Sequence, residues 1–231
     1  DTIVCCFENK LIPTGSQDPW GVRRAILGII AIIQRGKLNF NFLDAIDQTY
    51  TVLKKTLDKS ATHKDQLIDF IKQRIKGLYT DQVPYDIVDA ILDNTLTDLK
   101  QAETIAKAMT TYKKRHSKSF KTLTETAVRI KRLAQKANGT PVNDKLFKDS
   151  IEKSTWKSFQ KTKDVVTKSL NSGKATQVLD TLADFTPPMT SYFDEVLVMD
   201  NDKKIRTNRL AFLKECDSLY QQCANFELIS V

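Results

Sequence analysis

The sequence predicts an all-α fold, a helical bundle of two consecutive helical domains. Apolar residues recur at three- and four-residue spacing through most of the 231 positions, strand-like alternation is scarce, and only 7 glycines interrupt the pattern. The apolar fraction of 41% is enough for a core, and 28% charged residues suit long amphipathic helices.

The elements follow in order. In "GSQDPWGVRRAILGIIAIIQRG", Asp18 reads as an N-cap, Pro19 as the first helical residue and Gly36 as the stop. "FLDAIDQTYTVLKKTL" places Leu43, Ile46, Tyr50, Leu53 and Leu57 on one face, and "KDQLIDFIKQRIKGLY" does the same with Leu67, Phe70, Ile71, Ile75 and Leu78. Pro84 opens a shorter helix, "YDIVDAILDNTL". Then come "TDLKQAETIAKAMTTYKKR" and "KTLTETAVRIKRLAQKANG", the second closing on Asn138-Gly139 ahead of Pro141. Helices are expected over 147–171 and 174–184, parted by Ser172-Gly173. "TPPM" at 186–189 is expected to restart the chain, and 203–224 to form the last long helix, N-capped by Asp202. The domain division is expected before the basic helices, giving a helical body or linker at 1–98 and a second helical domain at 99–231.

Net charge is +8, unevenly spread. Between 99 and 140 there are eleven Lys or Arg against Glu103 and Glu125, whereas from 186 onward five basic residues face seven acidic ones. A basic segment points to a polyanion or an acidic surface. No apolar run approaches the ~20 residues that span a bilayer; "AILGIIAII" at 25–33 is too short. "DTIVCCF" is not a secretory signal and lacks Met, as though cut from a longer polypeptide. Cys5, Cys6, Cys216 and Cys223 make no framework or metal spacing, so they read as reduced, buried thiols of a cytoplasmic protein.

Catalytic chemistry is not legible. Read as a calcium loop, "DNDKKIRTNRLA" puts Lys204 at position 5, Ile205 at position 6 and Ala211 at position 12, so no metal is expected. Neither "GSQDPWGV" nor "NSGKA" makes a phosphate loop. His63 and His116 have no companion ligand, and nothing near Cys5-Cys6 supplies a base. No catalytic residue and no cofactor is expected in this stretch of chain.

Two constellations remain. In the helix at 121–137, Leu123, Ala127, Ile130, Leu133, Ala134 and Ala137 share a stripe, opposite Arg129, Arg132 and Lys136. Those cations are either a solvated face or, with Lys113, Lys114 and Arg115 of "YKKRHSK", a track for an RNA backbone. Tyr112, Trp156 and Phe159 are either stacking faces for bases or core. In the last helix Arg209 falls on the face of Ile205, Phe212, Leu213, Cys216, Leu219, Tyr220 and Cys223, about 20° from Cys216 at 100° per residue. A cation there requires an anion, and Asp194 and Glu195 of "FDEVLV" are the expected partners in a structural clasp.

The same segment carries a family resemblance. "FDEVLVMDNDKKIRTNRLAFL" resembles the C-terminal signature of the β subunit of bacterial glycyl-tRNA synthetase, F-D-x-V-x-V followed by R-x-N-R-L. "PTGSQDPWGVRRAILGI" at 13–29, "LIDFIKQRIKGLY" at 67–79 and the terminal "CANFELIS" resemble three further stretches of that family, in the right order. Asn225-Phe226 stands where Asp-Ile is usual, and Trp20 where Phe is common. The resemblance implies the last part of a β chain ending in a DALR-type helical anticodon-binding domain, placed at 99–231. It implies as partners tRNA(Gly), the α subunit and the rest of the β chain, with glycyl-adenylate made from ATP, with Mg, on the α subunit. It favours RNA contact by Lys113, Lys114, Arg115, Arg129, Arg132 and Lys136 over a solvated face. The alternative is a scaffold that joins subunits and touches tRNA little.

Overall fold

The computed structural model describes residues 1–14, 17–54, 63–79, 82–93, 96 and 98–231. Among these, ten α-helices and two 3-10 turns form, with no strand. The chain divides into two compact units, Asp1–Glu103 and Thr104–Val231. The division falls a few residues beyond 98, inside a helix.

The first unit holds α1 (Thr2–Glu8), α2 (Val22–Gly36), α3 (Phe42–Leu53), α4 (Lys64–Tyr79), α5 (Tyr85–Leu92) and the start of α6 (Leu99–Arg115). Helix α4 is its centre, packing on α1, α2 and α5. It buries Leu67, Phe70, Ile71 and Ile75, with Phe70 edge-on to Phe7 at 5.3 Å. Tyr79 Oη accepts a hydrogen bond from Gln34 Nε2 at 2.9 Å, fixing α2 against α4. The buried Glu8 carboxylate accepts from Tyr50 Oη at 2.5 Å and from the His63 backbone N–H at 3.1 Å, tying α1 to α3 and to the entry of α4. Leu57 lies outside the described residues.

Pro84 caps α5 as its fixed φ predicts, and the Asp98 carboxylate accepts from the Lys100 and Gln101 N–H groups at the head of α6. Helix α2 departs from expectation. It starts at Val22, not Pro19, because Gly21 takes φ +66° and turns the chain after Asp18-Pro19-Trp20. Asp18 still caps, from farther out: its Oδ2 accepts from the Arg23 N–H at 3.2 Å.

The second unit contains most of α6, α7 (Ser117–Ala134), α8 (Ser150–Asn171), α9 (Ala175–Glu195) and α10 (Lys203–Gln221), with 3-10 turns at Asp144–Leu146 and Phe226–Leu228. Helix α8 packs on α9, α7 on both α9 and α10, and α8 on α10. Phe212 is the hub of an aromatic cluster, 5.3–5.9 Å from Phe147, Trp156, Phe159 and Tyr192.

The expected break at "TPPM" does not occur; α9 runs through Pro187 and Pro188. Two prolines remove two N–H donors, which usually ends a helix. Here Val178, Leu179, Leu182, Phe185, Met189 and Tyr192 are all buried along one continuous face, and that burial outweighs the local penalty. Thr186 and Thr190 place their hydroxyls on the carbonyls of Leu182 and Thr186, at 3.2 and 3.1 Å.

The Arg209 clasp forms with other partners than Asp194 and Glu195, which are exposed at the end of α9. Arg209 is 3% exposed. Its Nε donates to Glu152 Oε1 at 2.8 Å, Nη2 to Glu152 Oε2 at 3.1 Å, and Nη1 to Asp200 Oδ2 at 2.8 Å and the Leu197 carbonyl at 2.9 Å. Glu152, 0% exposed, also accepts from the Lys148 and Asp149 N–H groups at the head of α8. Burial alone would raise the Glu152 carboxyl, but the Arg209 and backbone N–H donors hold it below the ordinary carboxylate value. Asp194 and Glu195 lie on the exposed side of the last turn of α9, whereas the chain leaves the helix extended at Val196 and brings Asp200 back to α10.

The neighbours of Arg209 serve the same end. Arg206 Nη1 donates to the Asp200 carbonyl at 2.7 Å, and Asn208 Oδ1 accepts from the Asn143 N–H at 2.7 Å. Asp202 caps α10 by accepting from Lys204 and Ile205 N–H groups at 2.8 and 3.3 Å. The signature "RTNRL" is therefore a knot holding two loops and the start of α8 to α10. No helix among the described residues is long and apolar enough to cross a membrane.

Candidate nucleic-acid interface

The candidate interface is the outward side of α7 and the segment that follows α10. Helix α7 buries Phe120, Leu123, Ala127, Ile130 and Ala134, so its opposite side must face outward. After α10, Asn225 caps the turn Phe226–Leu228 by accepting from the Glu227 N–H at 3.3 Å. Buried Phe226 and Ile229 anchor this tail against α7.

The tail engages some of the cations. Lys131 Nζ donates to Asn225 Oδ1 at 2.7 Å and lies 3.1 Å from Glu227 Oε2; Arg132 Nε is 3.8 Å from the other Glu227 oxygen. At the other end, Lys113 Nζ donates to the Ser230 carbonyl at 2.7 Å. The tail thus runs along α7 from the Lys131–Arg132 end toward the end of α6.

Between tail and helix lies a groove of ≈ 570 Å³ lined by Thr124, Glu125, Val128, Arg129, Arg132, Leu133 and Ile229. Arg129 is exposed, and its guanidinium carbon stands 4.2 Å from the centroid of the Phe193 ring, a cation–π contact that orients the fork. Arg132 is 70% exposed, so its distant Glu227 partner leaves most donors open to a ligand. Apolar Val128, Leu133 and Ile229 give the groove walls on which a base can lie, and Glu125 adds an acceptor.

The six expected cations do not form one patch. Arg129 and Arg132 share the groove, and Lys136 is exposed just past the end of α7. Lys114 and Arg115 are exposed at the opposite end, beside His116, and Lys113 is half-buried against the tail. Eighteen helical residues separate the two ends, roughly 27 Å. The three aromatics divide toward the core: Tyr112 and Phe159 are buried, and half-buried Trp156 stacks on Phe159 at 5.5 Å.

Sequence reading missed the tail as part of this surface. Asn225, Glu227 and Ile229 contribute a cap, a counter-charge and a wall, and the available signal was local: an Asn-x-Glu turn carrying the one acid after Asp217.

Comparison with known proteins fits this layout. Residues 1–93 match the family model described as glycyl-tRNA synthetase beta subunit, and residues 123–226 match the DALR anticodon binding domain. The second match takes in the α7 wall of the groove from Leu123 onward, and the tail wall at Ile229 lies just beyond it. Among curated relatives, the glycine–tRNA ligase beta subunit of Geotalea daltonii is 33% identical over 227 residues, covering 98% of this chain and 33% of that protein. Those of Natranaerobius thermophilus and Clostridioides difficile are 30% and 31% identical over 99% and 96% of this chain, and 33% and 32% of their own lengths. The chain spans about a third of the length of these relatives, and over that span it belongs to the glycyl-tRNA synthetase beta subunit family.

Proposed function

We propose that this chain is the anticodon-end tRNA-binding part of a heteromeric glycine–tRNA ligase, acting on tRNA(Gly) through the groove between α7 and the tail. The reading rests chiefly on one observation: Arg129 and Arg132, inside the stretch that matches the DALR anticodon binding domain, flank an apolar-walled groove. An anticodon loop offers unpaired bases between flexible phosphates, so a groove with walls for a base and guanidinium forks for phosphates suits it. Lys114, Arg115 and Lys136 extend the attraction along the backbone on either side.

The chemistry of aminoacylation belongs elsewhere in the assembly. ATP and Mg serve the α subunit, where glycine is activated, and the rest of the β chain joins the two functions. The holoenzyme works in the cytoplasm.

The test is binding of the protein to tRNA(Gly) and to an anticodon-substituted transcript across a salt series. Expected are a preference for the native anticodon and a steep loss of affinity with salt. Replacing Arg129 and Arg132 together by Gln is expected to weaken native binding about 100-fold and to lower the salt slope by about two. Equal affinity for both transcripts, untouched by the double substitution, would instead favour a scaffold joining subunits.

A further inference from the structure

We infer that Glu125 selects a cytosine of the anticodon, its carboxylate accepting from the exocyclic amino group of that base. The inference rests on the proposed function, tRNA(Gly) bound in the α7 groove, and names the side chain that discriminates between bases there.

Glu125, Arg129 and Arg132 line the groove from successive turns of one face of α7, at i, i+4 and i+7. That spacing sets the acid roughly 6 Å along the axis from the first arginine and roughly 10 Å from the second. An acid four residues ahead of a cation ordinarily pairs with it. Here the pair is not made. The Arg129 guanidinium stands over the Phe193 ring of α9 at 4.2 Å, and the ion pair that Glu125 forms is with Lys121, at 4.0 Å and outside the groove lining. Arg132 turns to Glu227 at 3.8 Å, and Glu227 is held more closely by Lys131 at 3.1 Å. The groove therefore presents a carboxylate and guanidinium donors side by side, neither neutralising the other, against the apolar walls of Val128 and Ile229. Glu125 is 58% exposed, so a ligand can reach it.

A phosphate backbone accounts for the arginines but not for the acid. Phosphates offer acceptors alone, and a carboxylate among them repels the strand; base edges offer donors and acceptors together. Glycine codons begin with two guanines, so two of the three anticodon bases of tRNA(Gly) are cytosines. Cytosine carries an amino donor at N4, the group a Glu side chain accepts from, next to acceptors on the same edge. The Arg129 fork, with five N–H donors, can serve those acceptors and a phosphate together. Uracil keeps the outline of cytosine but puts a carbonyl oxygen where the amino group was, so it would meet Glu125 acceptor to acceptor.

The test is binding of the full-length subunit, in its holoenzyme, to native tRNA(Gly) and to two transcripts in which one anticodon cytosine at a time is changed to uracil. The parent is expected to bind one of these at least about tenfold more weakly than native tRNA. Glu125→Gln, whose amide can accept or donate, is expected to weaken native binding and to bring that uracil transcript within about threefold of native. The penalty at the other cytosine and the salt slope are expected to stay as in the parent. The substitution changes an exposed residue, and Tm is expected to stay within about 2 °C of the parent. A carboxylate that is only a surface charge gives the opposite sign: its removal relieves repulsion and tightens all three transcripts by one factor. That outcome, or an undiminished preference for cytosine at both positions in Glu125→Gln, overturns the inference and leaves the proposed function standing. A parent indifferent to both base changes overturns the two together.

Discussion

Replacing Arg209 by Leu removes the cation that faces Glu152 at 2.8 and 3.1 Å and Asp200 at 2.8 Å. Asp200 is partly exposed and can turn to water, so the cost concentrates on Glu152, which is 0% exposed. That carboxylate keeps the Lys148 and Asp149 N–H donors, which moderates the penalty without cancelling it. Stranding a buried partner of this kind costs about 3–5 kcal/mol. For a unit the size of Thr104–Val231, the corresponding drop in Tm is ~10–18 °C. Thermal unfolding followed by circular dichroism at pH 7 measures it. A second variant, Arg209→Met with Glu152→Gln, is expected to recover at least half of the loss, because an uncharged pair has no stranded ion. At a temperature where Arg209→Leu is folded, tRNA affinity is expected to stay within about twofold of the parent, since the clasp is distant in sequence and role from the α7 groove. A Tm within 2 °C of the parent, or lost RNA binding in a folded variant, refutes the reasoning.

Acid should act through the same residue. The Glu152 carboxyl lies below its ordinary value in the folded chain, so the unfolded chain takes up its proton first as pH falls. Its stabilisation is therefore complete above pH ~4.5 and lost as pH drops through the folded value; a Tm series from pH 7 to 3 is expected to fall more steeply for the parent than for Glu152→Gln. Asp202→Ala removes the cap on α10 and is expected to cost about 1 kcal/mol, read as a shift in the denaturation midpoint with unchanged slope.

The sequence made some of this legible because the relevant physics was local. Pro84 and Asp202 start helices by chemistry that acts within three residues, and both do so. Arg209 was recognisable from its place on an apolar face, since periodicity alone shows which side of α10 is inside. Its partner was not: Glu152 lies 57 residues away, and a helical wheel carries no information on which helix comes alongside. The nearest acids in sequence, Asp194 and Glu195, end α9 on its exposed side, out of reach of Arg209. Pro187-Pro188 failed differently, because a local rule met a stronger tertiary one. On the candidate interface, the cations were countable but their sharing was not. Lys131 is engaged by Asn225 and Glu227, whereas Arg129 is steadied by an aromatic ring of α9 and left open.

The proline pair has a consequence for how the second unit assembles. A helix normally lengthens residue by residue, each new amide closing onto the turn before it. At positions 187 and 188 of α9 there is no amide to close, so growth from either end stalls in the middle. The two halves join only when Phe185, Met189 and Tyr192 find their shared seat against the other helices. Docking must therefore precede or accompany completion of α9, and we expect that step to come late in folding rather than to nucleate it. Substitutions at Met189 should then speed unfolding far more than they slow folding.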